Sequence, residues 1–131
     1  MPIPVTGLAA AISGLLLLLL ALRVSQLRLR HKVSLGDKGI PELLRAIRVH
    51  GNTVEHVAVF LIQSACYELS SGSSPLLIGC VALFLGARLI FAWGLSRSSL
   101  SLARRAGAGF TYLAELVLSV ALLVQAVNTL L

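Results

Sequence analysis

The sequence predicts an all-α integral membrane protein, a bundle of four transmembrane helices. Of its 131 residues, 57% are hydrophobic and only 12% are charged, and the mean hydropathy is +0.93. A water-soluble domain of this length needs less apolar surface than a multi-pass membrane protein does. The net charge of +6 comes from basic residues that lie between apolar segments rather than in one exposed patch. We therefore expect no nucleic-acid partner.

Four apolar segments follow one another in a single domain that covers residues 1–131. The first contains six consecutive leucines, and Pro41 suits the first turn of the second helix. Segment 70–75 is rich in Ser and Gly and ends in Pro, and a Ser/Arg-rich segment leads to the last helix. Gly79 and Gly86 predict that helix three packs closely against a neighbour. The expected helices are about 3–32, 41–69, 75–96 and 106–131.

The Lys and Arg side chains predict the orientation. They cluster in and around the first and third connections, and the second connection has none. By the positive-inside rule, connections one and three lie in the cytoplasm and both termini lie on the outer side. Several of these cations are then expected to contact lipid headgroups.

A polar face on helix two is the strongest functional signal. Arg45, Arg48, Asn52, Glu55 and His56 fall within about 100° of one helix face. The two arginines are three residues apart, so they repel each other unless an anion lies between them. Ionisable groups that enter a bilayer are costly, and they are by default a binding or catalytic site.

Three charged residues from three helices are expected at similar depth. Glu55, Arg88 and Glu115 lie 14, 13 and 16 residues from the expected outer ends of their helices. These spacings correspond to roughly 20, 20 and 24 Å. A buried ion without a partner costs several kcal/mol, so we expect Arg88 to form structural ion pairs with Glu55 or Glu115. Tyr112 shares a face of helix four with Glu115.

The motifs and their order resemble the MAPEG family, the membrane-associated proteins in eicosanoid and glutathione metabolism. The family's helix-two pattern Arg-x-His-x-Asn-x-x-Glu is matched by residues 48–55, and the basic end of its helix one by residues 28–32. An Arg after a small residue in helix three is matched at 87–88, and Arg-x-x-Gly before helix four at 104–107. The similarity covers about residues 20 to 125, and short bacterial-type members look most similar.

The resemblance implies a homotrimer that binds glutathione as co-substrate in pockets between subunits, open to the cytoplasm. Arg104 is expected to stabilise the thiolate, and the doublet with Arg105 leaves the thiol partner open by one residue. Glutathione carries two carboxylates and one ammonium, to which arginines, a carboxylate and an amide are complementary. The predicted glutathione contacts are Arg28 of the neighbouring subunit, Arg45, Arg48, Asn52, Glu55, His56 and Tyr112.

The implied activity is that of a microsomal-type glutathione transferase or peroxidase in a bacterial inner membrane. The thiolate would attack a lipophilic electrophile or reduce a lipid hydroperoxide. Active members often carry Tyr or His three and seven residues after the helix-three Arg, where this sequence has Phe91 and Leu95. Tyr112 is a candidate substitute for the missing hydroxyl.

Two other function classes are compatible with four spans. A non-enzymatic scaffold that binds lipid or glutathione on the same fold stays open, because helix three lacks those tyrosines. A small proton-coupled transporter is disfavoured, because its carboxylate would not need an arginine pair beside it. Three histidines without ligand spacing predict no metal site.

Overall fold

The computed structural model describes residues 2–131, which form four helices connected by short loops. Three of the helices are long and apolar enough to cross a membrane, and α2 is equally long but carries the polar face. The chain is therefore an all-α four-helix membrane protein with three strongly apolar spans. The helices are α1 (Pro4–His31), α2 (Pro41–Ser71), α3 (Pro75–Arg97) and α4 (Leu102–Leu130).

Proline and serine set the helix starts. α1, α2 and α3 each begin with a proline, whose missing N–H would have no intrahelical partner there. α4 begins at Leu102, four residues earlier than expected. The Ser101 hydroxyl accepts a hydrogen bond from the Arg104 backbone N–H at 3.2 Å and donates one to the Gly94 carbonyl at 2.8 Å. This cap explains why most of the predicted Ser/Arg loop is helical.

Two glycines bring α3 and α4 into backbone contact. A β-carbon at Gly107 would lie 2.5 Å from the backbone nitrogen of Phe91, and one at Gly94 would clash with the backbone of Arg104. The expectation that Gly79 and Gly86 make the close contact is wrong, because a β-carbon at either would meet nothing within 4 Å. Spacing along α3 does not show which side of the helix faces α4.

The core lies where α2 and α3 cross. Phe60 of α2 stacks on Phe84 of α3, with ring centroids 3.9 Å apart and planes 1° apart. Leu77 of α3 and Leu118 of α4 are fully buried in the same cluster. α1 packs against α2 and α3, and within residues 2–131 it makes no contact with α4. α2 contacts α4 directly, partly through the same apolar cluster.

Glu68 ties the end of α2 to the start of α1. Its carboxylate accepts hydrogen bonds from the backbone N–H groups of Val5 at 2.9 Å and Thr6 at 2.8 Å, and from the Ser73 hydroxyl at 2.6 Å. The first N–H groups of a helix have no intrahelical partner, and the helix dipole is positive there. A buried carboxylate thus fixes the relative position of the first two helices.

We predict that Gly107→Ala destabilises the protein and that Gly86→Ala does not. The added methyl group at Gly107 forces α3 and α4 apart, which costs about 1–3 kcal/mol. At Gly86 the same change meets open space and adds about 0.5–1 kcal/mol of helix stability. Thermal melting in detergent, followed by circular dichroism, measures both. Equal melting temperatures for the two variants would contradict the close contact at Gly107.

Candidate functional site

A cavity of about 550 Å³ opens between α2, α3 and α4, at the end of the bundle that carries the first and third connections. α2 and α4 each supply three of its polar side chains, and no carboxylate of the described residues 2–131 lines it. Four arginines therefore face one cavity without an acidic counter-charge in its wall. The polar side chains that line it are Arg45, Arg48, Asn52, Arg104, Arg105 and Tyr112, together with Ser99 of the third connection.

The part of the cavity wall that belongs to α3 is apolar. Phe91 and Leu95 line the cavity and are themselves buried, in a cluster with Val49 of α2. The cavity is thus amphipathic, with cations from α2 and α4 and hydrocarbon from α3. Such a site suits a charged ligand that meets an apolar one.

Arg104 is held against α3 by the same features that start α4. Its backbone lies in contact with Gly94, and its N–H is capped by Ser101. Arg104 is half-buried, whereas Arg105 is exposed. The Nε atoms of Arg104 and Arg45 are buried, and neither has a hydrogen-bond partner among residues 2–131. Each guanidinium carries further N–H groups, and a guanidinium binds carboxylates through several of them.

The expected ion pairs of Arg88 with Glu55 and Glu115 do not form. Arg88 is 1% exposed, and its Nη1 donates to the Asn52 Oδ1 at 3.0 Å. Its guanidinium lies over the Phe91 ring, 4.4 Å from the centroid. The other two guanidinium nitrogens, Nε and Nη2, have no hydrogen-bond partner in the described chain. A buried cation thus lies directly behind two residues of the cavity wall.

Helix register explains the missing pairs. Because Gly107 of α4 lies against Ala87 and Phe91 of α3, Arg88 is level with the turn after Gly107 and not with Glu115. Glu115 lies farther along α4, away from the third connection. It contacts His56, whose Nδ1 is 2.8 Å from the Glu115 Oε1. Counting residues from the helix ends gave the depth only to within about a turn, and one turn decides the partner.

Three predicted ligand contacts lie outside the cavity. Glu55 is exposed on the outer face of α2, and His56 is turned toward Glu115. Arg28 lies at the end of α1, where its Nη1 donates to the Gly36 carbonyl at 3.0 Å. A single chain therefore assembles Arg45, Arg48, Asn52, Arg104, Arg105 and Tyr112 but not these three.

Sequence reasoning missed the contact between His56 and Glu115. Both residues lie at the middle of long helices, and the pattern placed each on a face with other polar groups. The available signal is an imidazole and a carboxyl group at the same depth in two helices. Counting residues from the helix ends assigned Arg88 to Glu115 instead. The contact of Glu68 with the start of α1 was also not predicted, because the residues around Glu68 in the sequence do not indicate that partner.

Comparison with known proteins decides the family. A model of the MAPEG family matches residues 6–124. The chain belongs to the MAPEG family. This MAPEG protein is 33% identical to the inner membrane protein YecN of Escherichia coli K12 over 117 residues, which are 89% of this chain and 88% of YecN. YecN of E. coli O6:H1 matches equally well. The chain is thus a multi-pass membrane protein, and its relative is an inner membrane protein.

We predict that Asn52→Ala lowers the stability of this MAPEG protein more than Arg48→Ala does. Asn52 provides the one hydrogen bond made by the buried Arg88, whereas Arg48 is exposed. Leaving a buried charge without its partner costs roughly 3 kcal/mol. Melting temperatures in detergent without ligand measure the difference. A loss in Asn52→Ala no larger than that in Arg48→Ala would show that Arg88 does not depend on this bond.

Proposed function

We propose that this MAPEG protein binds glutathione in the cavity and activates its thiol for attack on a lipophilic electrophile or hydroperoxide. The observation that carries the proposal is the set of four arginines around a cavity whose described wall contains no carboxylate. Cations brought together in a membrane protein need an anionic partner, because their mutual repulsion and lost hydration are otherwise uncompensated. The family includes glutathione transferases and peroxidases, so glutathione is the anion to test first.

The size and chemistry of the cavity support a tripeptide. Its volume of about 550 Å³ lies within the roughly 300–1,000 Å³ of small-molecule sites. Arg45 and Arg48 would bind one carboxylate of glutathione, and the exposed Arg105 would bind the other. The Asn52 amide nitrogen is available to a carbonyl, since its oxygen is held by Arg88.

Arg104 is the proposed thiolate partner. It is more buried than Arg105, and a free donor of its guanidinium lies inside the wall. A cation beside a thiol favours the thiolate, which is the nucleophile in conjugation and peroxide reduction. The apolar wall of Phe91 and Leu95 would receive the second substrate from the lipid phase.

The proposed assembly is a homotrimer with the site between subunits and open to the cytoplasm. Glu55, exposed at mid-depth among apolar residues of α2, would be costly against lipid. In a trimer a neighbouring chain would cover this face, and Glu55 would be available to the ammonium of glutathione. Arg28, absent from the cavity of its own chain, would reach the cavity of the neighbour.

A scaffold that binds glutathione or lipid without turnover is the second candidate. Phe91 and Leu95 line the cavity at positions where active family members often carry Tyr or His, and neither offers a hydroxyl. Tyr112 is the one phenol in the wall. Capture on glutathione-Sepharose combined with a chlorodinitrobenzene conjugation assay separates the two functions, because the scaffold binds and does not turn over.

We predict that Arg48→Ala weakens glutathione binding about 10- to 100-fold, which corresponds to the roughly 1.5–3 kcal/mol of a charged hydrogen bond. Titration calorimetry on the purified protein measures the affinity. Arg30→Ala, at the end of α1 and outside the cavity, is the matched control and should bind normally. An unchanged affinity in Arg48→Ala would show that the ligand site is assigned to the wrong residues.

We predict that Arg104→Ala still binds glutathione and forms little thiolate. The thiolate absorbs in the ultraviolet, so difference spectra at saturating glutathione report it directly. Arg105→Ala, one residue along and exposed, should retain most of the signal. The opposite pattern, with the signal lost in Arg105→Ala alone, would transfer the role to Arg105.

A further inference from the structure

His56 and Glu115 form a pair near the middle of α2 and α4, next to Tyr112 of the cavity wall. Nδ1 of His56 lies 2.8 Å from Oε1 of Glu115, and the side chains are 20% and 18% exposed. The His56 ring also packs against Tyr112, with centroids 5.5 Å apart and planes tilted by 46°. Tyr112 lines the cavity, so the imidazole is one aromatic ring away from it.

The pair fixes which imidazole nitrogen carries a proton. When Glu115 is ionised, its carboxylate can only accept hydrogen bonds, so the donor of the contact is then Nδ1 of His56. Nε2 is then the basic nitrogen of the neutral ring. A carboxylate behind an imidazole holds the ring in one tautomer and stabilises the cation that forms when the ring takes a proton.

The cavity lacks a proton acceptor of its own. Its ionisable lining consists of four arginines and Tyr112, and a guanidinium cannot accept a proton. The proposed function requires that a thiol lose its proton there. The imidazole has the ordinary pKa closest to neutrality, and the other two histidines, His31 and His50, do not line the cavity.

We propose that His56, positioned by Glu115, accepts the proton of the glutathione thiol; this inference rests on the proposed function. In this step the S–H bond breaks and the sulfur keeps the electron pair as a thiolate beside Arg104. The hydroxyl of Tyr112, which lines the cavity and packs on the imidazole, takes that proton while its own proton passes to Nε2 of His56, where an N–H bond forms. The Glu115 carboxylate then balances the imidazolium. Glu115 is a positioning residue, because it acts through the ring and not on the ligand.

Three helices bring charged or titratable groups near this pair. α4 faces His56 with Glu115 and Tyr112, α3 brings Arg88 one turn nearer the cavity, and Glu55 is the neighbour on α2 itself. α1 has no titratable side chain between Pro4 and Leu22. The proton therefore moves from the glutathione thiol, beside which Arg104 is proposed, to the imidazole of His56, toward which α3 brings Arg88. The total charge of the site is unchanged by the transfer.

The destination of the proton can be measured by counting protons released when glutathione binds. At about pH 8, where a free imidazole is neutral, glutathione is added to the purified full-length protein in weak buffer with an indicator dye. Thiolate is read from ultraviolet absorbance on the same sample. S-methylglutathione, which has no thiol proton, gives the background to subtract.

We expect the wild-type protein to release almost no proton per thiolate, because His56 retains it. His56→Gln should release about one proton for each thiolate that still forms. Glu115→Gln should shift toward that value, since the imidazolium loses its carboxylate. His50→Gln, on the same helix and outside the pair, should behave as the wild type.

Each other result decides against the inference. If the wild-type protein releases about one proton per thiolate, that result overturns the proton transfer to His56 without the need for any variant. Equal proton release by the wild type and by His56→Gln would overturn it as well. If the protein binds both compounds and bound glutathione forms no thiolate, the proton transfer is overturned and only a binding function is left. If the wild type binds neither compound, the proposed function itself fails.

Discussion

The backbone contact between α3 and α4 determines where the cationic groups of the cavity lie. Gly107 lies against Phe91 and Gly94 lies against Arg104, and a β-carbon at either glycine would separate the helices. This register brings Arg104 to the cavity beside Phe91 and Leu95 and keeps Arg88 about one turn away from Glu115. A shift of α4 by one turn along α3 would bring Arg88 toward Glu115. Packing between two helices thus decides the electrostatics of the site.

Two kinds of arginine result from that packing. Arg88 is buried, held by one hydrogen bond and by the face of Phe91, which together compensate part of its lost hydration. The arginines of the cavity wall are at most half-buried and retain donors that no described residue fills. Arg88, the first kind, contacts Asn52 and Phe91 from behind the cavity wall. The second kind gives the cavity its positive charge, which favours an anionic ligand.

The sequence predicted the composition of the cavity better than its geometry. Charged residues inside apolar helices are conspicuous, and six of the predicted site residues line one cavity. The sequence did not predict which part of the polar face of α2 points toward a neighbouring helix, because this face spans about 100°. The structure turns the edge with His56 toward α4 and the edge with Glu55 outward. No local pattern indicates which edge of such a face meets a neighbouring helix.

Contacts between distant segments account for the remaining differences. The pairing of Glu68 with the start of α1 joins residues more than 60 positions apart, and the pairing of His56 with Glu115 joins residues 59 positions apart. The early start of α4 depends on Ser101, which also binds the Gly94 carbonyl of another helix. Helix propensity and periodicity are local properties, so they do not specify such partners.

The central claim is that water and an anionic peptide reach the cavity between α2, α3 and α4. The direct measurement is labelling of Gly109→Cys, in a chain whose Cys66 and Cys80 are replaced by Ser, with a charged, membrane-impermeant thiol reagent. Gly109 lines the cavity, and a β-carbon there meets nothing within 4 Å. Labelling should be rapid from the cytoplasmic side and slowed by S-methylglutathione, while Leu89→Cys on the exposed apolar side of α3 stays unlabelled. Failure of the reagent to reach position 109, or labelling that S-methylglutathione leaves unchanged, would contradict the account.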